Sequence, residues 1–201
     1  MPSTDVQPQV TLRTFGREDF ERLISWVPTE ADMIPWCGAF FGFPLDAAQL
    51  ERYAQSAERP RSRVIFTAEF AGDPVGHVEI SQIAPHLSSR LSRVLVAPEH
   101  RRRRVGSMML AQAIDFTFDH YHVDRIDLGV WTANSSAMEC YRKLGFAHVG
   151  TWPNAMVADT HTIDVYWMTL TRVGWRSARP YRCHLCSRSA APRANLASTA
   201  E

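Results

Sequence analysis

The length, composition and charge of the chain limit the classes of protein to which it can belong. Its 201 residues suit one domain, and 45% hydrophobic against 21% charged residues is ordinary globular composition, which excludes a mainly disordered protein. With a formal net charge of +1, the protein as a whole has no strong positive potential that would attract nucleic acid or an anionic membrane. Any anion-binding site must therefore be local.

The N-terminal third of the chain predicts a strand followed by helices. Residues 10–15 alternate apolar and polar side chains, as a half-buried strand does. A helical stripe runs from Phe20 to Val27, and a later helix has Asp46 as its expected N-cap. We interpret five aromatic residues as core side chains, with the lining of an acceptor pocket as the alternative, namely Trp26, Trp36, Phe40, Phe41 and Trp152.

The middle of the chain predicts a hairpin and then an anion site. Residues 63–83 form two β-rich runs around a Gly-Asp-Pro turn. A short strand at 92–98 precedes a long amphipathic helix at 101–121, which opens with four arginines and Gly106. Free N–H groups and the positive end of the helix dipole favour a phosphate there. A solvated helix start and a nucleic-acid patch are the alternatives for the arginines.

The rest of the chain completes a mixed sheet. A strand at 124–131 leads into a helix with a Ser136-x-x-Glu139 capping box and a stop at Gly145, and two more strands follow, the second at 161–170. This order predicts an α/β (α+β) fold, a mixed sheet of about seven strands with helices packed on it.

Two motifs resemble those of the GNAT superfamily of N-acetyltransferases. The family's cofactor motif has the form V-x-P-x-x-R-x-x-G-x-G/A, and residues 96–107 of this chain, VAPEHRRRRVGS, resemble it. The next motif is similar to N-x-x-A-x-x-x-Y-x-K-x-G-F, and the chain reads NSSAMECYRKLGF. Arg104 occupies the place of the first glycine, where its side chain would crowd the pyrophosphate or clasp it. The resemblance covers residues 64–170, and the N-terminal helices only loosely resemble those of the ribosomal-protein N-terminal acetyltransferases.

The resemblance implies helices on both faces of the sheet and a splayed central pair of parallel strands that ends near Val96 and Val130. The pantetheine arm of acetyl-CoA would enter the splay and pair with the strand backbone, which would also supply an oxyanion donor. The implied cofactor-binding residues are Val94, Leu95, Val96, Arg101, Arg102, Arg103, Arg104, Val105, Gly106, Ser107, Asn134 and Tyr141.

The resemblance also implies the direct transfer of an acetyl group from acetyl-CoA to a primary amine. Tyr141 is the expected acid that protonates the departing thiolate, because a phenol with a pKa near 10 can do so. Glu79 is the expected base, directly or through a water, and His77 shares its face of the strand. The alternative for both is two polar residues on a half-exposed face. A catalytically silent acyl-CoA-binding sensor or scaffold of the same fold is the alternative function.

The N-acetyltransferase domain is expected over residues 8–170 and a flexible basic tail over 171–201. Cys183 and Cys186 have the spacing of half a zinc site, but a structural site needs four ligands, so we expect no metal. No stretch reads as a membrane span or signal peptide, which predicts a cytoplasmic protein. We expect acetyl-CoA and an amine of a small molecule or peptide as partners, and no nucleic acid or membrane. A homodimer is left open as an alternative to a monomer.

Overall fold

A computed structural model describes residues 9–59, 63–158 and 161–178. Within these residues seven strands and six helices follow one another as β1 (Val10–Thr14), α1 (Phe20–Ser25), α2 (Glu30–Cys37), α3 (Ala47–Ser56), β2 (Arg63–Phe70), β3 (Asp73–Ala84), β4 (Ser88–Val96), α4 (Val105–Tyr121), β5 (Arg125–Trp131), α5 (Ser135–Leu144), β6 (Ala147–Ala158), β7 (His161–Thr171) and α6 (Arg172–Ala178). None of the described helices is long and apolar enough to cross a membrane.

All seven strands belong to one mixed sheet, in the order β1-β2-β3-β4-β5-β7-β6. Strands β4 and β5 are parallel, and the other neighbours are antiparallel. The predicted mixed α/β sheet of about seven strands is confirmed.

The parallel strands β4 and β5 are paired only at their first residues. Ser88 pairs with Arg125, and the last pair joins Arg90 to Asp127. Beyond Arg90 no further pair joins the two strands within the described residues, although β4 continues to Val96. The predicted splay between the central parallel strands is therefore confirmed.

The sheet has a hydrophobic core on each face. Helix α4 packs on one face, where residues such as Met109 and Ile114 have no exposed surface because they occupy its inner stripe. The first three helices cover the other face, and Leu50 of α3 is fully buried there. Burial of apolar area on both faces is the main stabilising contribution to such a layered domain.

Two helix starts differ from the sequence-based expectation. Helix α4 begins at Val105, four residues later than predicted, because Arg102 and Arg104 have left-handed backbones with φ of 61° and 63° that a helix does not allow. Helix α5 is capped by Asn134, whose side chain accepts a hydrogen bond from the Ala137 N–H at 3.1 Å. The predicted capping box at Ser136 is wrong.

Glu139, the acidic residue of the predicted capping box, pairs with another side chain. The predicted end of helix α5 at Gly145 is confirmed. The carboxylate of Glu139 lies 2.6 Å from the ammonium of Lys143, one turn further along. Gly145 ends the helix with φ of 96°, as expected for a glycine stop.

The chain remains packed beyond the predicted start of its tail. Helix α6 buries Trp175, and the indole N–H of this residue donates to the carboxylate of Asp115 at 2.8 Å. The other residues of the predicted tail, with Cys183 and Cys186, lie outside the described residues. The boundary of the flexible tail therefore stays a prediction.

Candidate active site

A cleft of about 1390 Å³ opens where β4 and β5 diverge. Its walls are parts of β3, β4, β5, α2 and α5 and the N-terminal end of α4, with Arg63 at the start of β2. Ten of the predicted cofactor residues line it, namely Val94, Leu95, Val96, Arg101, Arg102, Arg104, Gly106, Ser107, Asn134 and Tyr141. Arg103 and Val105 do not, because Arg103 is exposed elsewhere and Val105 is buried in the core.

One end of the cleft is the N-terminus of α4. The first helical hydrogen bond runs from the Met108 N–H to the Arg104 carbonyl, which leaves the N–H groups of the first turn without helical partners. A Cβ at Gly106 would lie 3.3 Å from Cγ2 of Val96, so a larger side chain would press against the end of β4. Arg101 donates to the Val96 carbonyl at 3.1 Å and fixes the loop before the helix.

Arg104 has a left-handed backbone conformation, which is the conformation that favours glycine at this position of the family's motif. Its φ of 63° and ψ of 1° lie in the left-handed region, which glycine enters without a steric penalty. The arginine pays that penalty, and its exposed side chain lies on the cleft wall. The cleft there is therefore bounded by a guanidinium instead of by bare backbone.

A β-bulge interrupts β4 beside the splay. His77 pairs with Leu95 and Glu79 with Ser92, so two residues of β4 lie opposite one residue of β3. Arg93 occupies this bulge with φ of 46°, and its carbonyl accepts a hydrogen bond of 2.9 Å from the Trp36 indole. The bulge turns the backbone of β4 out of its ladder next to the cleft, and α2 holds it there.

Glu79 lies under the bulge with no exposed surface. Its carboxylate pairs with the guanidinium of Arg93 through both oxygens and accepts a 2.6 Å hydrogen bond from the Tyr53 hydroxyl. Burial acts to raise the pKa of Glu79, but the hydrogen bonds and charge of Arg93 outweigh it and hold the pKa below its usual range. The interpretation of Glu79 and His77 as polar residues on a half-exposed face is therefore wrong.

His77 is fully enclosed beside Tyr53. Burial lowers the pKa of His77 to about 3, so the ring is neutral near pH 7. Its Nε2 lies 3.2 Å from the Tyr53 oxygen, whose proton is committed to Glu79, so we assign the ring proton to Nε2. The other ring nitrogen, Nδ1, is buried and has no hydrogen-bond partner in the part of the chain that the structure describes.

Tyr141 lies on the opposite wall, on the inner stripe of α5. It is 7% exposed, packs edge-on against Phe146 with ring centroids 5.8 Å apart, and lines the cleft. Burial raises its pKa, so the phenol carries its proton throughout the physiological range. The Cys140 thiol is 3.3 Å from the Ser107 hydroxyl and joins α5 to the start of α4. The structure thus brings Tyr141 and the anion-binding end of α4 to one cleft.

The other end of the cleft contains residues that the sequence analysis did not assign to the site. They are Trp36, Phe40, Arg63, Ser81, Arg90, Ser92 and Arg93. A sequence signal existed only for Trp36 and Phe40, as members of an aromatic cluster that could line an acceptor pocket, and for none of the arginines and serines. Trp26, Trp36 and Phe41 are core side chains as expected, whereas Phe40 and Trp152 are exposed by 44% and 56%.

Comparison with known proteins agrees with this geometry. The model of the acetyltransferase (GNAT) family matches residues 30–146. The L-amino acid N-acetyltransferase AaaT of Escherichia coli is 31% identical over 114 residues, which are 56% of this chain and 70% of that protein. The spermidine N(1)-acetyltransferase of Escherichia coli is 27% identical over 152 residues, which are 75% of this chain and 77% of that protein.

Solved structures share the fold. The spermidine N-acetyltransferase of Vibrio cholerae in complex with CoA and spermine superposes with a TM-score of 0.74 at 22% identity, over 84% of this chain and 98% of that chain. The matched family region contains both motifs, the splay and most of the cleft wall. The chain therefore belongs to the acetyltransferase (GNAT) family, and its activity is the acetyl-CoA-dependent N-acetylation of an amine.

Proposed function

We propose that the cleft between β4 and β5 is where the chain transfers an acetyl group directly from acetyl-CoA to a primary amine. The observation that carries this proposal is the convergence of the α4 N-terminus and Tyr141 on one cleft that opens at the splay. The relatives act by name on L-amino acids and spermidine, and these acceptors share an amine.

The diphosphate of CoA is proposed to bind at the first turn of α4. Backbone N–H groups of Gly106 and Ser107 and the helix dipole favour an anion there, and Arg101, Arg102 and Arg104 lie on the same wall. Arg103 and Val105 do not line the cleft. In this proposal Arg103 attracts the diphosphate only at longer range, and Val105 contributes only its backbone N–H.

The pantetheine arm is proposed to pair with the β4 backbone from Val94 to Val96. This segment has lost its β5 partner because of the splay, so the arm would take the place of a neighbouring strand. An N–H of the same segment would polarise the thioester carbonyl. Asn134 contributes by capping α5 and so fixes the position of Tyr141 on that helix.

The chemistry divides into one bond made, one bond broken and two proton transfers. The neutral amine attacks the thioester carbonyl carbon, the carbon–sulfur bond breaks, and the acetyl group stays on nitrogen. Tyr141 is proposed to protonate the departing thiolate, since its phenol is protonated and lines the cleft. The proton lost by the amine passes to a base.

Glu79 stays the proposed base, but its position requires an indirect route. The carboxylate is not on the cleft wall and is occupied by Arg93 and Tyr53. A proton from the amine would reach it through a water that enters beside Arg93, which does line the cleft. This geometry supports a role through a water and not through direct contact with the amine.

Titration of CoA into the pure protein and release of the CoA thiol from acetyl-CoA test this function together. We expect CoA to bind and at least one primary amine to be turned over. Binding without turnover of any amine in a broad panel would favour the silent acyl-CoA-binding sensor instead. A spermidine N-acetyltransferase of Vibrio cholerae has a dodecameric structure, and sedimentation of this chain will decide between a monomer, the homodimer considered above and a larger assembly. A cytoplasmic location stays a prediction.

A further inference from the structure

Three polar residues form a row across the sheet at the end of the cleft away from α4. Arg63 of β2 pairs with Ser81 of β3, and Ser81 pairs with Arg90 of β4. Paired residues on neighbouring strands direct their side chains to the same face, so all three belong to one surface. Each of them lines the cleft. With strands about 4.8 Å apart, the Cα atoms of the two arginines are roughly 10 Å apart.

The arginines of this row, together with Arg93 beside it, carry more positive charge than the neighbouring carboxylates carry negative charge. Arg63 and Arg93 share one carboxylate, that of Glu79, and Arg93 holds it through both oxygens while Nη1 of Arg63 is 3.6 Å away. Nε and Nη1 of Arg63 are buried and make no hydrogen bond within the described residues. Buried donors without partners are costly, and a guanidinium in that position is stabilised when an anion binds it.

Arg90 has no carboxylate within ion-pair distance among the described residues. Its guanidinium lies 4.6 Å from the ring centroid of Trp167, and its Nη2 is close to Gly129, where an added Cβ would be 3.4 Å away. Its neighbour Asp127 is already bonded to Arg125 at 3.0 Å and to the Thr169 hydroxyl at 2.5 Å. Arg90 is thus held in place by an aromatic ring, with its charge directed at the cleft.

The acidic residues on the cleft wall do not balance these arginines. Asp32 accepts a hydrogen bond from the Thr29 hydroxyl at the start of α2, where it also faces the positive end of that helix. Glu139 pairs with Lys143 on α5. The row therefore contains two guanidiniums that have donors without partners among the described residues, and between them the Ser81 hydroxyl, which lies 3.0 Å from the Ser92 hydroxyl.

We infer that the acceptor is an amine that also carries a carboxylate, and that Arg63 and Arg90 bind this carboxylate on either side of Ser81. This inference rests on the proposed function and names its substrate class. The planar fork of a guanidinium matches a carboxylate through two parallel hydrogen bonds. A polyamine has no such group and would place further positive charges beside Arg63, Arg90 and Arg93, which is unfavourable.

Matched pairs of acceptors test this inference. Each L-amino acid is compared with its decarboxylated amine, for example L-lysine with cadaverine, L-ornithine with putrescine and L-phenylalanine with phenethylamine, and CoA thiol release is followed. We expect kcat/KM for the acid to exceed that for the amine by about 100-fold or more, mainly through KM, because charge-assisted hydrogen bonds from two arginines to the carboxylate are lost in the amine.

Two variants place the preference on the row. Arg63→Gln and Arg90→Gln should each reduce the acid-to-amine ratio of kcat/KM by about 10- to 100-fold, the range expected for a charge-assisted hydrogen bond. Arg17→Gln, whose arginine is exposed and does not line the cleft, should keep the wild-type ratio. The ratio does not depend on the amount of folded enzyme, so partial misfolding of a variant does not disturb it.

The outcomes separate this inference from the proposed function. Equal or better turnover of the decarboxylated amines, or a ratio unchanged in both variants, would overturn the carboxylate site while N-acetyltransfer stands. Turnover of polyamines but of none of the amino acids would overturn it as well. If CoA binds but nothing is turned over, the transferase proposal fails. Calorimetric titration of L-amino acids into the CoA complex then decides the site, and absence of binding overturns it.

Discussion

Arg93 and Glu79 lie on neighbouring strands at a β-bulge and form a buried pair in which the guanidinium binds both carboxylate oxygens. The carbonyl of Arg93 is held by the Trp36 indole, and the carboxylate of Glu79 by the Tyr53 hydroxyl. Two helices, α2 and α3, are thereby tied to the bulge of β4 at Arg93. The shape of β4 beside the cleft depends on this pair.

Glu79→Gln tests whether the pair supplies a base or only a shape. As a base, Glu79 stays ionised at low pH because Arg93 holds its pKa below the usual range against the effect of burial, so the variant should lose most turnover at low pH. The loss should reach about 100-fold or more. A uniform loss at every pH, with an unaltered pH–rate profile, would show that Glu79 only positions Arg93.

The same variant has a consequence for stability. Removing the buried carboxylate leaves Arg93 and Arg63 without their counter-charge, so the free energy of unfolding should fall by about 3 to 5 kcal/mol. Urea denaturation at pH 7 measures this change. The double variant Glu79→Gln, Arg93→Met removes the charge and its partner together and should recover part of the loss.

Tyr141→Phe removes one hydroxyl from the cleft. We expect kcat to fall by about 100- to 10,000-fold, the range for general acid catalysis, with little change in the Kd of CoA. The matched control is Tyr121→Phe, which removes a hydroxyl from α4 outside the cleft and should keep activity. If Tyr141→Phe lowers the melting temperature by several degrees but keeps near-normal turnover, Tyr141 is a core residue and the acid is another group.

Arg104→Gly separates a backbone effect from a side-chain effect. Glycine relieves the left-handed strain at φ of 63°, so the unfolding free energy should rise by about 1 kcal/mol. Loss of the guanidinium should weaken CoA binding by about tenfold if Arg104 clasps the diphosphate. Ala71→Gly, at φ of 55° in the β2–β3 turn, should give the first effect alone. Unchanged or tighter CoA binding in Arg104→Gly would show that the arginine crowds the diphosphate.

His77 should make the protein less stable in mild acid. Burial lowers its folded pKa to about 3, below the unfolded value near 6.5, so the unfolded state binds a proton that the folded state excludes. Stability is therefore lost as pH falls below about 6.5, by up to about 2 kcal/mol at pH 5. Glu79 adds a further loss only at lower pH, because its stabilisation is present above its unfolded pKa of about 4.3.

His77→Gln should remove this part of the slope. Unfolding free energies at pH 7.5 and pH 5 should differ less in the variant than in the wild type. His148→Gln replaces an exposed histidine and shows how much of the change belongs to histidine replacement itself. A slope unchanged by His77→Gln would mean that the buried ring accepts a proton in the folded protein.

The cofactor end of the site could be predicted from the sequence because its determinants are local. A strand, a loop and the start of α4 lie within a dozen residues, and Tyr141 follows Asn134 by a fixed helical spacing. The local sequence did not, however, determine which residue caps helix α5. Asn134 and Ser136 both suit an N-cap, and only the backbone geometry decides that Asn134 takes the Ala137 N–H.

The acceptor end depends on distances along the chain that local patterns do not encode. Arg63, Ser81 and Arg90 become neighbours only through the register of three strands. The contact of Tyr53 with Glu79 joins a helix to a strand 26 residues away. The bulge at Arg93 shifts the register by one residue, and no turn residue signals it. An arginine in a short β-strand is ordinarily exposed to solvent, so the sequence alone does not assign these arginines to a binding site.

The short pairing of β4 with β5 also determines how the protein should fluctuate. Among the described residues, the strands from β1 to β4 and those from β5 to β7 share three backbone pairs at this junction. Beyond Arg90, the amides of β4 on the β3 side remain in a ladder, whereas those on the β5 side have no strand partner. We expect these amides to exchange with deuterated solvent faster than those of β3, and to slow once the pantetheine arm binds. In that case the substrate acts as a missing strand of the sheet, and the two halves become one cooperative unit only when it is bound.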